Sequence, residues 1–174
     1  MTAAPGITNL EEFSIADGHT VEDVCLAVAK AMGVRQHEVA LLYLERRMLR
    51  FLYPFELKAA GAIPLTSTAV AAHTANSKRP ELFNNFVTVQ HSSIFETIKI
   101  GTSDTPSDPL TIQKMMSAPV FGPNKMLLGV IQISRKGYDV RSAGPDFTPA
   151  DLMQLTQLAT TVGRLLPHFI ESAT

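Results

Sequence analysis

The sequence has a single cysteine, Cys25, among its 174 residues, and it has no long run of lysine or arginine. One thiol excludes an internal disulfide framework and any metal site built from several cysteines. The formal net charge is -1. We therefore expect no direct contact with nucleic acid or with an anionic membrane, because both require a concentrated basic surface.

Long apolar runs and targeting signals are also missing. No stretch approaches the roughly 18 consecutive apolar residues of a membrane span. The first residues, MTAAPGITNLEEF, lack the basic start and apolar centre of a signal peptide. We expect a cytoplasmic protein.

Recognisable catalytic motifs are absent as well. The sequence contains no nucleophile elbow, P-loop, paired His-Glu helix motif or cysteine-histidine signature. We therefore expect neither an enzymatic activity nor a metal site.

What is present is the composition of an ordinary globular domain, with 45% apolar and 18% charged residues. A chain of this length can bury about two thirds of its unfolded surface in one core. Residues 1–17 are polar and contain Pro5 and Gly6, which predicts a flexible N-terminal arm. Residues 18–174 are predicted to form one domain.

The first helix is predicted over Val21–Met32. Thr20 can cap its N-terminus, Asp23 stands at capping-box spacing, and Gly33 can end the helix. Two strands, Glu38–Glu45 and Met48–Phe55, are then predicted, with Arg46 and Arg47 as the turn between them.

A connection is predicted over Lys58–Pro64 and a short helix over about Thr68–Asn76. The following segment, Glu81–Thr111, is the least regular of the chain. Its stretch Gly101–Pro109 is a loop by composition, and a short helical turn is predicted at Ile94–Ile98. Long loops in compact domains are often lids or binding loops.

A central hairpin is predicted from Met115–Phe121 and Met126–Ser134, with Pro123 and Asn124 at the turn. Alternation in the second strand predicts a dry face and a less dry face, the former carrying Ile131 and Ile133 and the latter Gln132 and Ser134. We interpret Arg135 and Lys136, which follow, as a solvated strand end rather than an anion site.

The last helix has the strongest start signal in the sequence. Thr148 caps it, Pro149 takes the first helical position, and Asp151 completes a capping box. Pro167 is expected to kink or end this helix. Strands joined by short turns are antiparallel, so the whole order predicts an α+β domain with helices packed on a mainly antiparallel sheet.

Several stretches together resemble a GAF domain, a sensory module of phosphodiesterases, phytochromes and many bacterial regulators. They are EVALLYLERRMLRFLYPF, IPLTSTAVAAHTANSKRP, SAPVF followed by LLGVIQISRKG, and DFTPADLMQLTQLATTVGRLL. The resemblance covers roughly Gly18–Ile170. It implies a sheet of five or six antiparallel strands with the terminal helices on one face and a ligand cavity on the other, closed by Thr66–Lys99.

The resemblance supports none of the cofactors or activities known from particular GAF members. Cyclic-nucleotide binders carry an Asn-Lys-Phe motif, whereas Asn85-Phe86 lacks the lysine and Phe95-Glu96 is only a partial match to the rest of the pattern. Bilin binders use a cysteine near the pocket, but Cys25 falls on the first helix. Free methionine sulfoxide reductases need several cysteines in the closing region, which has none. A haem group has no support either.

Candidate ligand-binding residues follow from the closing region and the central hairpin. A small-molecule site needs an apolar floor and a few polar anchors. The candidates are His91, Asn85, Phe95, Met115, Ser117 and His73.

Each candidate also has a structural interpretation. Ser92 or Ser93 beside His91 could cap a helical turn, and an Asn pair such as the one containing Asn85 is common in turns. For His73 a hydrogen-bonded packing role is favoured, and Met115 is a residue type that often fills cores.

Two functions remain. The first is a regulatory GAF-type module that binds an unidentified small molecule and signals through its terminal helices in a homodimer. The second is a dimerisation or protein-interaction domain without a ligand, its cavity filled by Phe86, Phe95 and Met115.

Overall fold

The structure is a computed structural model and describes residues 19–86 and 111–173. The predicted arm, the loop Gly101–Pro109 and the helical turn Ile94–Ile98 lie outside these residues. The elements in chain order are α1 Val21–Met32, β1 Val39–Glu45, β2 Met48–Tyr53, β3 Ala62–Pro64, α2 Val70–Ser77, β4 Glu81–Phe83, β5 Thr111–Phe121, β6 Leu127–Gly137 and α3 Pro149–Ala173. Within the described residues the six strands form one antiparallel sheet in the order β3-β2-β1-β6-β5-β4. The predicted α+β class is confirmed.

The predicted bounds and caps of α1 are confirmed. Thr20 Oγ1 accepts from Asp23 N at 3.2 Å, and Thr20 N donates to Asp23 Oδ2 at 2.8 Å. Gly33 ends the helix with a left-handed φ of 69°. These bonds satisfy backbone groups that the helix leaves unpaired at its ends.

The β1-β2 hairpin turns at Arg46 and Arg47, as predicted, and both residues have positive φ values, 53° and 65°. β2 ends at Tyr53 because Pro54 has no N–H for the ladder. The predicted connection Lys58–Pro64 is partly wrong, because its last residues form β3, which pairs with β2.

The central hairpin is longer than predicted, since both strands extend by several residues at their open end. Its turn closes with Lys125 N donating to Gly122 O at 2.9 Å, which puts Pro123 and Asn124 at the predicted central positions. The segment after α2 is not irregular throughout, because Glu81–Phe83 pairs with β5 as the edge strand β4.

Each face of the sheet carries its own core. α1 and α3 cover the face that includes Ile131 and Ile133, and α2 covers the opposite face, which includes Leu42 and Val130. The predicted orientation of β6 is confirmed. Gln132 and Ser134 do lie opposite the two isoleucines, but they are buried rather than wet.

The predicted capping box of α3 is present, with Asp151 N donating to Thr148 Oγ1 at 3.1 Å and Thr148 N donating to Asp151 Oδ2 at 2.9 Å. α3 does not end at Pro167 but continues to Ala173. Phe169, beyond the proline, is buried in the core shared with α1, and that burial favours the continued helix. No helix in the described ranges has the length and apolarity to cross a membrane.

Candidate functional site

The candidate site lies where α2 packs on β5 and β6, on the face opposite the terminal helices. Most side chains of this layer are apolar. The buried ones are Ala40, Leu42, Leu49, Phe51, Leu57, Ile63, Ala69, Val70, Ala71, Ala72, Ala75, Phe86, Ile112, Met115 and Val130.

A small polar cluster interrupts this apolar layer. Ser117 on β5 is fully buried, and its Oγ accepts a hydrogen bond from Thr74 Oγ1 of α2 at 2.7 Å. Gln132 Nε2 on β6 also donates to Ser117 Oγ, at 3.2 Å. The cluster therefore ties α2 to the middle of the central hairpin. Buried polar groups need such partners, because an unpaired one costs about 1–3 kcal/mol.

The cluster continues to the surface through β4. Glu81 pairs with Ser117 across the β4-β5 ladder, and its Oε1 lies 3.4 Å from Thr74 Oγ1. Its other oxygen, Oε2, lies 2.5 Å from Nδ1 of His73, whose side chain is 59% exposed. A hydroxyl has one proton, so the shorter contact from Thr74, to Ser117, is the stronger bond. Three polar side chains, Thr74, Glu81 and His73, thus link the buried serine to the surface.

The candidates from the sequence are placed as follows. Ser117 is at the centre of the cluster, and Met115 is buried two residues along the same strand, in the apolar part of the layer. His73 reaches the cluster through Glu81 only. Asn85 is exposed just beyond β4. His91 and Phe95 lie outside the described residues.

Asn84, which precedes Asn85, holds the end of β4 in place. Its Nδ2 donates to Phe147 O at 2.9 Å, and its Oδ1 accepts from Phe147 N at 2.8 Å. The side chain therefore pairs with the backbone of the residue before the cap of α3 as a strand would. This contact couples the α2 side of the sheet to the start of the terminal helix.

Sequence reasoning missed Thr74, Glu81 and Gln132 as members of the cluster. Alternation put Gln132 on the correct face, which was a usable signal. Nothing local marks Thr74, because its partner is 43 residues away in the chain. The described residues contain no group of histidine, cysteine, aspartate and glutamate arranged to hold a metal ion.

The interpretation of Arg135 and Lys136 as a solvated strand end is wrong. Lys136 is only 6% exposed. Its N–H donates to the carboxylate of Glu38, which is itself buried, at 2.7 Å. These residues belong to a second polar cluster, at the end of the sheet where β1 begins and β6 ends.

No protein-family model and no curated protein matches the sequence. Solved structures do match. The chain superposes on the GAF domain of a phosphoenolpyruvate-protein phosphotransferase from Acinetobacter with a TM-score of 0.65 and 15% identity, covering 99% of each chain. It superposes on the GAF domain of a two-component sensor histidine kinase from Bacillus halodurans with a TM-score of 0.56 and 16% identity, covering 87% of this chain and 98% of that one.

An enzyme is among the similar structures too. Free methionine-R-sulfoxide reductase from Neisseria meningitidis, in complex with its substrate, superposes with a TM-score of 0.61 and 12% identity, covering 95% of this chain and 89% of that one. Identities this low establish a common fold and carry no assignment of activity.

Proposed function

We propose that this chain, which has the GAF fold that its sequence resembles, is a regulatory module that binds a small polar molecule beneath α2. One observation carries the proposal, namely the buried cluster of Ser117, Thr74 and Gln132 in a layer that is otherwise apolar. An apolar site with a few convergent polar groups is the usual form of a small-molecule site.

The signal would pass from α2 to the terminal helices as a shift between two populated arrangements. A ligand that bonds Ser117 competes with Thr74, and α2 then loses its hydrogen bond to β5. β5 has α2 on one face and α3 on the other, and Asn84 joins the end of β4 to Phe147. The ends of α1 and α3 are the proposed output, read by a second copy of the chain in a homodimer.

A thiol-based reductase activity is not part of the proposal, although a reductase shares the fold. Cys25 is the one cysteine of the sequence and is buried in the core between α1 and the sheet. Burial raises the pKa of the Cys25 thiol well above its usual value, so the reactive thiolate is scarce. The same burial argues against covalent attachment of a bilin, and we propose no resident cofactor.

The test is calorimetry and thermal shift against a library of nucleotides, amino acids and aromatic acids. Ser117→Ala removes the central oxygen of the cluster. Ser134→Ala is the matched control, because Ser134 is also fully buried on β6 and its hydroxyl donates to Glu38 O, at 3.3 Å, outside the cluster. We expect a ligand that stabilises the wild type and the control but not Ser117→Ala. Binding that is equally strong in both variants would refute the site.

A second candidate function is a ligand-free dimerisation or interaction domain. It is favoured by Phe86 and Met115, which are 1% and 0% exposed and fill the layer beneath α2. Sedimentation at high micromolar concentration addresses the dimer directly. A dimer that responds to no compound in the library supports this second function. A monomer contradicts the helix-mediated dimer that both candidate functions include.

A further inference from the structure

A cleft of about 510 Å³ opens at the end of the sheet, away from α2. It lies where α1 ends, β1 begins and β6 runs into the following loop, and its lining includes Arg35, Glu38, Arg135 and Lys136. Small-molecule sites have volumes of about 300–1,000 Å³, so the cleft has a suitable size. Its charged lining residues are three basic groups and one acid.

The one acid of the lining, Glu38, already accepts hydrogen bonds at both carboxylate oxygens. Its Oε1 accepts from Arg35 N at 2.8 Å, and its Oε2 accepts from Arg35 Nη2 and Lys136 N, both at 2.7 Å. Burial alone would raise the pKa of Glu38, but these bonds more than offset it and hold the pKa below its usual value. Glu38 is therefore ionised, and its charge is neutralised by Arg35.

Arg135 has no carboxylate partner among the residues that the structure describes. Its guanidinium lies over the Phe147 ring at 4.7 Å, and its Nη1 donates to Gly33 O at 3.2 Å. Its Nε is buried and has no hydrogen-bond partner within residues 19–86 and 111–173. The ring thus packs against the plane of the guanidinium. On the edge formed by Nε and Nη2, Nε lacks an acceptor within the described residues.

The acids of the loop before α3 are engaged elsewhere, since Asp139 Oδ1 accepts from Ser142 N at 2.7 Å. Asp146 Oδ1 lies 2.8 Å from Lys114 Nζ, and Lys114 Nζ also donates to Gly144 O. In the part of the chain that the structure describes, no carboxylate forms an ion pair with Arg135. An unpaired buried donor on a charged group is costly, so an acceptor from outside the chain would be stabilised there.

We propose that this cleft binds a small anion through the Nε–Nη2 edge of Arg135. The planar fork of an arginine matches the paired oxygens of a carboxylate or a phosphate group. The site is separate from the cluster beneath α2 and does not depend on the function proposed for that cluster. The cleft lies between the end of α1 and the loop that precedes α3.

The direct test observes the Arg135 Nε–H signal by NMR while inorganic phosphate or acetate is added at constant ionic strength. Arg135→Lys identifies the signal by its loss. We expect a saturable shift of this signal in the wild-type protein. Tighter binding of phosphate indicates a phosphorylated ligand, and tighter binding of acetate indicates a carboxylate ligand. No shift with either anion would overturn the proposal, because an anion bound at Nε must change the surroundings of its proton.

Calorimetry on variants gives the matched comparison. Arg135→Gln removes both charge and fork, and we expect the affinity for the better anion to fall about tenfold or more. Arg135→Lys keeps the charge, and its affinity is expected to lie between those of the wild type and Arg135→Gln. Arg50→Gln removes one positive charge from an exposed arginine that pairs with Glu45 outside the cleft, and should leave the affinity unchanged. Equal weakening in Arg50→Gln and Arg135→Gln would show nonspecific charge attraction and refute the site.

Discussion

Gly163, in the middle of α3, is a position where two physical effects oppose each other. A methyl group added there would overlap the carbonyl oxygen of Phe121, and it would come within 3.0 Å of the carbonyl carbon. These are backbone atoms at the end of β5, which cannot rotate away as a side chain would. Gly163→Ala therefore forces the helix to retreat from the sheet.

The magnitudes decide the sign of the effect. Alanine improves on glycine inside a helix by about 1 kcal/mol. Overpacking a well-filled core costs about 1–3 kcal/mol and occasionally more, and here the obstacle is rigid. Retreat of the helix also loosens the contacts of Val162 and Leu166, both fully buried. Because the obstacle is rigid, we place the cost at the upper end of that range, about 3 kcal/mol. The net loss is then about 2 kcal/mol, which lowers Tm by roughly 4–8 °C for a chain of this size.

Chemical denaturation and calorimetry measure this loss. Thr160→Ala is the control, because Thr160 is exposed on the same helix and gains helix propensity without a clash. We expect that variant to be at least as stable as the wild type. If Gly163→Ala were equally stable, helix propensity would outweigh packing, and the close approach of α3 to Phe121 would be wrong.

Two further predictions concern charge and capping. Burial lowers the pKa of the Lys136 amine to about 8 from its ordinary 10.5, so between these values the unfolded chain binds a proton that the folded protein has lost. In this window Lys136 should then contribute a rise in stability of up to roughly 1.4 kcal/mol per pH unit. Denaturation at several pH values measures this contribution as the difference between the wild type and Lys136→Met, because the raised pKa of the Cys25 thiol acts in the opposite direction in both proteins and cancels. Lys30→Met, a variant at an exposed site, should follow the wild type. Thr148→Ala removes the acceptor for Asp151 N and should destabilise the protein by about 1 kcal/mol, whereas unchanged stability in denaturant would mean that the cap contributes nothing.

The parts of the fold that follow from local chemistry could be predicted from the sequence. The bounds of α1 follow from the capping box of Thr20 and Asp23 and from Gly33, all within a few residues of the helix ends. The hairpin turn at Pro123 follows in the same way. The short strands β3 and β4 could not be predicted, because three residues carry no periodicity and become strands only by pairing with a longer neighbour.

The candidate ligand-binding residues stay a prediction, and the structure gives the surroundings of those within the described residues. Ser117 belongs to the buried cluster, whereas His73 is largely exposed although its helix was correctly expected. Sequence pattern assigns a residue to an element and a face. It does not say which polar side chain on that face will find a partner, because that depends on how two elements approach each other.

The sequence by itself determined the α+β class, the order of the main elements and the dry face of β6, since these depend on propensity, capping and alternation over short stretches. Only the tertiary structure decided that Lys136 is buried and that it lies against Glu38. The reason is physical: Glu38 and Lys136 are 98 residues apart, Arg35 and Lys136 are 101 apart, and a buried charge is stable only when such distant groups meet around it.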